Sequence, residues 1–217
     1  MELHVESAMN REEELKLLIR RFLELIGEDP DREGLRETPS RVAKMWLNEL
    51  TRGYRVNPKE YVKVFEVDEY VRYRDLVIIK DVPVKSICEH HLLPFFGYAH
   101  VAYIPSERVL GFSKFARIVD AYSKRLLLQE RLTEQVADFL MDVLRPKGLL
   151  LVIEAIHTCA LVRGIEEPMF MATIASRGVF KDNEELRLNT IKILKELPIR
   201  SGNEGIKNYL FNRFNNL

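Results

Sequence analysis

The sequence predicts an α+β protein, an antiparallel sheet with helices packed on one face and a helical N-terminal arm. Three observations carry that expectation. Apolar residues in the first fifty positions recur at helical spacing. The middle of the chain switches to runs rich in Val and Ile with partial alternation, the composition of strands. The second half then interleaves two more helical stretches with a strongly apolar strand and a shorter neighbour.

Taken in order, Arg11 to Ile26 places Leu15, Leu17, Leu18, Phe22, Leu23 and Leu25 on a helical stripe, which Gly27-Glu-Asp-Pro30 terminates. A second helix opens at Thr38-Pro39, with Thr38 as N-cap and Pro39 at the first helical position. Its apolar face is Val42, Met45, Trp46 and Leu50, and Gly53 ends it. Strands are expected over Tyr61–Val67, Leu76–Ile87 and Phe95–Ile104, the last stopping at Pro105. Helices follow from Ser113 to Leu127 and from Glu130 to Leu144, where Pro146-Lys-Gly148 breaks the pattern. Leu149–Ala160 and Met169–Ala175 read as paired strands, and from Asn183 the chain reads as helix with a break at Pro198–Gly202. The division expected is a helical arm over 1–55, a catalytic domain over 56–197 and a tail over 198–217.

A chain of 217 residues, 47% hydrophobic and 30% charged, can bury one large core and remain soluble. No apolar run approaches the roughly 18 residues that would cross a bilayer. The start lacks a basic segment followed by an apolar one, so no secretory signal is expected and the cytoplasm is the default. Basic and acidic residues balance at 33 each, without the excess or dense patch that nucleic-acid binding through phosphates demands. Neither nucleic acid nor membrane is therefore expected as a partner. On residue type alone, Cys88 and Cys159 read as two unrelated buried thiols, and a disulfide is disfavoured in a reducing compartment.

Their neighbours change that reading. Three of the five histidines and both cysteines fall in two short segments, Cys88-Glu-His90-His91 and His157-Thr-Cys159. On a strand, His157 and Cys159 would point to the same face, while a turn at a strand end brings Cys88 and His91 to one ion. Thiolate and imidazole together suit zinc. Cys88, His91 and Cys159 make three ligands and leave His90 and His157 unassigned. Three protein ligands with an open fourth position describe a catalytic zinc, whereas four would describe a structural one.

A second constellation concerns anions and bases. Gly111-Phe-Ser113-Lys114-Phe-Ala-Arg117 lies at a strand-to-helix junction where Ser113 can cap the helix and free N–H groups can face an anion. Lys114 and Arg117 oppose the helix dipole there, which favours phosphate binding over a merely solvated basic face. Arg163 follows Cys159 by four residues and adds a guanidinium near the metal. Arg41 and Lys44 read, on spacing alone, as solvated charges of the second helix. Glu130, beside Gln129, reads either as an acid at a helix N-terminus or as an acceptor for the N1–H and 2-amino group of guanine.

Together these blocks resemble GTP cyclohydrolase I, the zinc enzyme of the tunnelling-fold superfamily, over roughly residues 12 to 195. The resemblance rests on Gly27-Glu-Asp-Pro30, Thr38-Pro-Ser-Arg-Val-Ala-Lys-Met45, Cys88-Glu-His-His-Leu-Leu-Pro-Phe95, Ser113-Lys114, Gln129-Glu-Arg-Leu-Thr133, His157-Thr-Cys159 and Arg163-Gly164, in that order. It implies zinc-dependent hydrolytic opening of the GTP imidazole ring at C8, release of formate, and rearrangement to 7,8-dihydroneopterin triphosphate. It also implies Cys88, His91 and Cys159 as ligands and His90 and His157 as proton carriers. Glu130 would anchor guanine with Gln129 beside it, and Ser113 would lie near the ribose. Lys114, Arg117 and Arg163 would hold the triphosphate, helped by Arg41 and Lys44 of an adjacent subunit in a homodecamer with active sites between subunits.

Two departures stand out. Glu166 to Ser176 is poorer in hydroxyls than the family's usual strand and about one residue shorter. It motivates an alternative, a degenerate paralogue that binds GTP or a pterin without full turnover. The chain also runs on from Leu194 to Leu217, and this tail, with Tyr209, Leu210, Phe211 and Phe214, is expected to pack on a neighbouring surface.

Overall fold

The computed structural model describes residues 2–66 and 75–197. The expected strand end at Val67, the break at Pro198–Gly202 and the tail lie outside them. Helix α1 (Glu2–Leu25) ends before Gly27, which takes φ of 90°, a conformation open to a residue without Cβ. Helix α2 (Thr38–Lys44) packs against α1 and runs on as a π-helical segment, Met45–Leu50. Thr38 is not its cap. The cap position falls on Glu37, without a side-chain bond, and Pro39 sits inside the first turn.

The sheet is built from β2 (Val77–Cys88), β3 (Pro94–Ile104), β5 (Leu126–Leu127), β6 (Gly148–His157) and β7 (Phe170–Gly178), in the spatial order β5-β2-β3-β6-β7. All pairings are antiparallel except that of β5 with β2. Two short strands, β1 (Val64–Glu66) and β4 (Arg108–Leu110), form a separate ribbon. Helix α3 (Phe112–Ser123) lies against β2, and α4 (Gln129–Leu144) lies against β6 and β7.

Alternation along β6 explains both faces. Leu149, Leu151, Ile153 and Ala155 enter the main core with Phe115, Ile118, Leu132 and Leu140 from the helices. Leu150 and Val152 point the other way, into a smaller cluster with Phe180 and Leu194. Those last two come from α6 (Val179–Asp182) and α7 (Glu184–Glu196), the latter capped by Asn183, whose side chain accepts from Leu186 N–H at 2.9 Å. A strand apolar on both sides lacks simple alternation, which is why it reads as a continuous run. Burying each such Leu contributes about 1.5–3 kcal/mol.

The arm is tied to the domain through Gly53. Its N–H bonds the Lys124 carbonyl at 2.9 Å and its carbonyl accepts from Arg125 Nε at 3.0 Å. A Cβ there would collide with the backbone carbonyls of Ala121 and Lys124, so glycine permits the approach. Helix α3 stops at Ser123, short of the expected Leu127, because this anchoring turns the chain and frees Leu126 and Leu127 to pair beside Ile87 and Cys88.

Candidate metal centre and active site

Cys88 is the last residue of β2 and is buried. Its N–H donates to the Leu93 carbonyl and its own carbonyl accepts from Leu92 N–H, both at 2.9 Å, closing a tight turn with Leu92 at φ 55°. The turn presents His90 and His91 to solvent, with their rings edge to face at 6.2 Å. Strand β6 ends at His157 and not at the expected Ala160. Cys159 sits instead in a helical turn, α5 (Thr158–Leu161), pinned when Thr158 Oγ1 donates to the Pro94 carbonyl at 2.6 Å. The ligand atoms of Cys88, His91 and Cys159 all lie within 4.8 Å of one another.

That donor set fits zinc. Bonds of about 2.3 Å to sulfur and 2.0 Å to nitrogen ask only that the three side chains draw in slightly. No fourth His, Cys, Asp or Glu joins the group among the described residues. Both cysteines are free thiols. Burial, and then the neighbouring Cys88, push the Cys159 thiol up, while Arg163 pulls it down. A dication between the sulfurs reverses that balance and favours the thiolates.

His157 is held from two sides. Its ring stacks on Phe95 at 4.6 Å and 10°, the two residues being partners in the β3–β6 register. Its Nε2 lies 2.9 Å from Gln129 Oε1. The Gln129 amide nitrogen donates to the carbonyls of Ile153 at 2.9 Å and Met171 at 3.0 Å, and lies 3.1 Å from Thr173 Oγ1. Thr133 Oγ1 donates to the Gln129 carbonyl at 2.8 Å and meets Thr173 Oγ1 at 2.6 Å. Gln129 is fully buried with its side-chain polar atoms engaged, and it backs His157. Burial lowers the His157 pKa from its ordinary value, and nearby Glu130 partly opposes the shift.

Glu130 is exposed in the first turn of α4, next to this histidine. The turn is tied to the metal segment by Arg131 Nη1 and Glu89 Oε2 at 3.2 Å. Arg163 is exposed just beyond α5, close enough to influence the Cys159 thiol.

Other candidates do not converge here within one chain. Helix α3 reaches the level of Cys88 with its C-terminal end, because Ser123 is followed by β5 beside Ile87 and Cys88. Its first turn, with Ser113 and Lys114, lies at the other end of the helix, about 15 Å back along the axis from Ser123, ten residues at 1.5 Å each. Ser113 is not the cap, which is Gly111. Arg117 faces a separate polar cavity of about 410 Å³ with Arg52, Tyr61, Lys85 and Asp120. Arg41 and Lys44 are exposed on α2, near Glu37 and Glu12 respectively.

Sequence reasoning missed the supporting roles of Phe95, Thr133 and Thr173. The available signals were the spacing of Thr133 four residues after Gln129, one helical turn, and the inward alternation Met171, Thr173, Ala175 along β7.

The GTP cyclohydrolase I family model matches residues 15–195. The GTP cyclohydrolase 1 of Caldanaerobacter subterraneus subsp. tengcongensis is 47% identical over 184 residues, 84% of this chain and 96% of that protein. Those of Thermoanaerobacter pseudethanolicus and Aquifex aeolicus are each 48% identical, again over 84% of this chain and 96% of theirs. Among solved structures, the archaeosine synthase QueF-Like in the apo form aligns at 23% identity with a TM-score of 0.39, covering 48% of this chain and 93% of that one.

Proposed function

The chain belongs to the GTP cyclohydrolase I family, and on that footing we propose that it hydrolyses the imidazole ring of GTP at C8, releases formate and forms 7,8-dihydroneopterin triphosphate at a zinc centre held by Cys88, His91 and Cys159. The convergence of those three donors beside His157 and Glu130 is the observation that carries the reading. Zinc, when bound, supplies Lewis-acid activation of water near neutral pH. The chain's own residues supply the rest. Because Gln129 Oε1 accepts from His157 Nε2, the lone pair of the neutral ring is on Nδ1, and that atom takes and returns a proton. His90 is the second proton carrier. The Glu130 carboxylate accepts the N1–H and 2-amino hydrogens of guanine, and Arg163 takes phosphate oxygens.

The remaining cations are supplied by other copies. Ser113 and Lys114 lie in the first turn of α3 and Arg117 one turn on, facing a cavity with Arg52 and Lys85, and Arg41 and Lys44 are exposed on the arm. A site between subunits, in a homodecamer, brings them to the triphosphate. Self-association is supported by exposed Leu17, Leu18, Phe22 and Leu25 on α1 and by exposed Phe170 and Ile174 on the edge strand β7. No described helix is long and apolar enough to cross a membrane, and a cytoplasmic setting keeps both thiols reduced for zinc. Within this scheme 1–55 is an assembly arm, 56–197 the catalytic domain and 198–217 a tail.

The altered strand at 166–176 is compatible with turnover, since β7 pairs with β6 from Phe170 to Gly178 and supplies Thr173 to the Gln129 network. Incubating the zinc-loaded protein with GTP should yield one formate and one dihydropterin per GTP consumed, and chelation should stop both. GTP binding without formate would establish the degenerate alternative.

A further inference from the structure

Strand β5 pairs only with Ile87 and Cys88 of β2, so the edge of β2 at Lys85 has no further strand beside it among the described residues. Along that edge runs the cleft of about 410 Å³ that Arg117 faces. Lys85 lines its strand side, Arg117 and Asp120 line it from α3, and Arg52 and Tyr61 close it from the segment that follows the arm helices. The Arg117 guanidinium carbon lies 6.0 Å from the centroid of the Tyr61 ring, a cation–π contact that keeps this side chain at the cleft.

The charges around the cleft do not balance. Asp120 is the one acid of the lining, and Arg52 Nη2 already meets its Oδ2 at 2.5 Å. Among the described residues no carboxylate forms an ion pair with Lys85, Arg117 or the neighbouring Lys124. Burial pushes the Lys124 ammonium below its ordinary range, Asp120 opposes that shift, and Arg52 and Lys85 add to it. Glu49 acts on Arg52 and Lys124 more weakly than any of these. Cations on a convex surface spread apart into water. Here a strand edge, a helix and the Tyr61 segment hold them around one recess, where a multiply charged anion offsets their repulsion.

We propose that Lys85 is a further specificity-determining residue, which takes the terminal phosphate of a nucleoside triphosphate whose inner phosphates pass Lys114 and Arg117. The proposal rests on the reading above, in which Arg117 meets the GTP of a neighbouring subunit. It adds the side chain that tells a triphosphate from a diphosphate. The order follows α3. Lys114 stands in its first turn, Arg117 is about 4.5 Å farther along the axis and Asp120 about 4.5 Å beyond that, and Lys124 closes the helix. A polyphosphate laid along this side therefore meets Arg117 first and brings its far end to the Lys85 wall, with Arg52 and Lys124 behind. A lysine suits that place, since its ammonium carries three donors on a flexible stem and binds phosphate as a point charge.

Formate release by the assembled, zinc-loaded protein tests this, with GTP as substrate and GDP or inorganic tripolyphosphate as inhibitor. Lys85→Gln should raise the KM for GTP about tenfold, the loss of one charge-assisted contact, while kcat and the inhibition constant of GDP stay close to wild type. Arg117→Gln should weaken GTP and GDP together. Lys85→Arg keeps the charge at this exposed position and should keep the low KM. Tripolyphosphate should compete with GTP, and calorimetry should show its own binding weakened in Lys85→Gln, a readout that needs no turnover. An unchanged KM in Lys85→Gln, or equal losses of GTP and GDP, overturns the proposal and leaves the functional reading standing. So does tripolyphosphate that binds without displacing GTP, since the cleft is then a separate anion site. Wild-type protein that releases no formate sinks the functional reading instead, and the proposal then falls if tripolyphosphate binding is indifferent to Lys85.

Discussion

Gln129 Oε1 lies 2.9 Å from His157 Nε2, and the orientation of that amide is set by the Ile153 and Met171 carbonyls facing its nitrogen. Flipping the amide would set oxygen against two carbonyl oxygens and leave the imidazole without an acceptor. One buried glutamine thus decides which nitrogen of His157 carries hydrogen.

Gln129→Leu should accordingly damage both fold and turnover. It strands two buried carbonyls, at a cost of about 1–3 kcal/mol for each group left unpaired, and removes the acceptor that orients His157. Urea unfolding should shift to lower midpoints, and formate release should fall while zinc content holds. Zinc loss equal to the activity loss would show that Gln129 serves the metal instead.

The pH dependence follows from burial of His157. With its folded pKa held below the ordinary 6.5, the unfolded chain takes up a proton first as pH falls below about 6.5. Stability is therefore full above that value and declines as pH falls through the folded pKa. In zinc-free protein, urea midpoints should drop between pH 7.5 and 5.5, and the drop should be smaller in His157→Gln. An equal drop in both would remove His157 as a source of the acid sensitivity. In the zinc-loaded enzyme, His157→Ala and His90→Ala should retain metal yet lose turnover by roughly 100-fold or more.

Cys159→Ser should remove most zinc and activity together, and full occupancy in that variant would sink the ligand assignment. With donor atoms within 4.8 Å, the sulfurs of Cys88 and Cys159 can bridge once the metal leaves, given modest side-chain movement. Mild oxidation should consume both thiols in chelated protein and spare them in zinc-loaded protein, as thiol titration will show.

The parts of this site legible in the sequence were those carried by rare residue types at short range. Cys88 with His91, and His157 with Cys159, announce a metal through donor chemistry alone. The turn after Cys88 was legible too, but the geometry at Cys159 was not: a four-residue helix replaces the expected extension of β6. The role of Gln129 was hidden because its partners, Ile153 and Met171, lie on strands far along the chain. Strand β5 was hidden because two residues carry no period, and Leu126 and Leu127 extend the apolar pattern of α3. The faces of β6 were read correctly as strand but not apportioned, since both sides are apolar.

Lys114 stands in the first turn of α3, and Cys88 pairs beside the strand that follows its last turn; from this comes the sharpest test of the intersubunit site. Lys114→Ala alone should weaken GTP more than guanosine, by about 1.5–3 kcal/mol for a charge-assisted contact to phosphate. Arg163→Ala should do likewise, whereas equal losses for the two ligands would place these side chains elsewhere. Cys159→Ser removes the metal half and leaves the cationic half intact. If the halves come from different subunits, dissociating and reassembling the two inactive variants together creates some sites with a sound metal donor set and a sound Lys114. Random mixing of equal amounts makes such sites roughly a quarter of the total. Formate release from the mixed assembly should therefore recover towards that fraction, while each variant reassembled alone stays inactive at limiting GTP. A mixture no more active than its components would mean that each chain completes its own site, and the placement of Ser113, Lys114 and Arg117 on a neighbour's triphosphate would have to be abandoned.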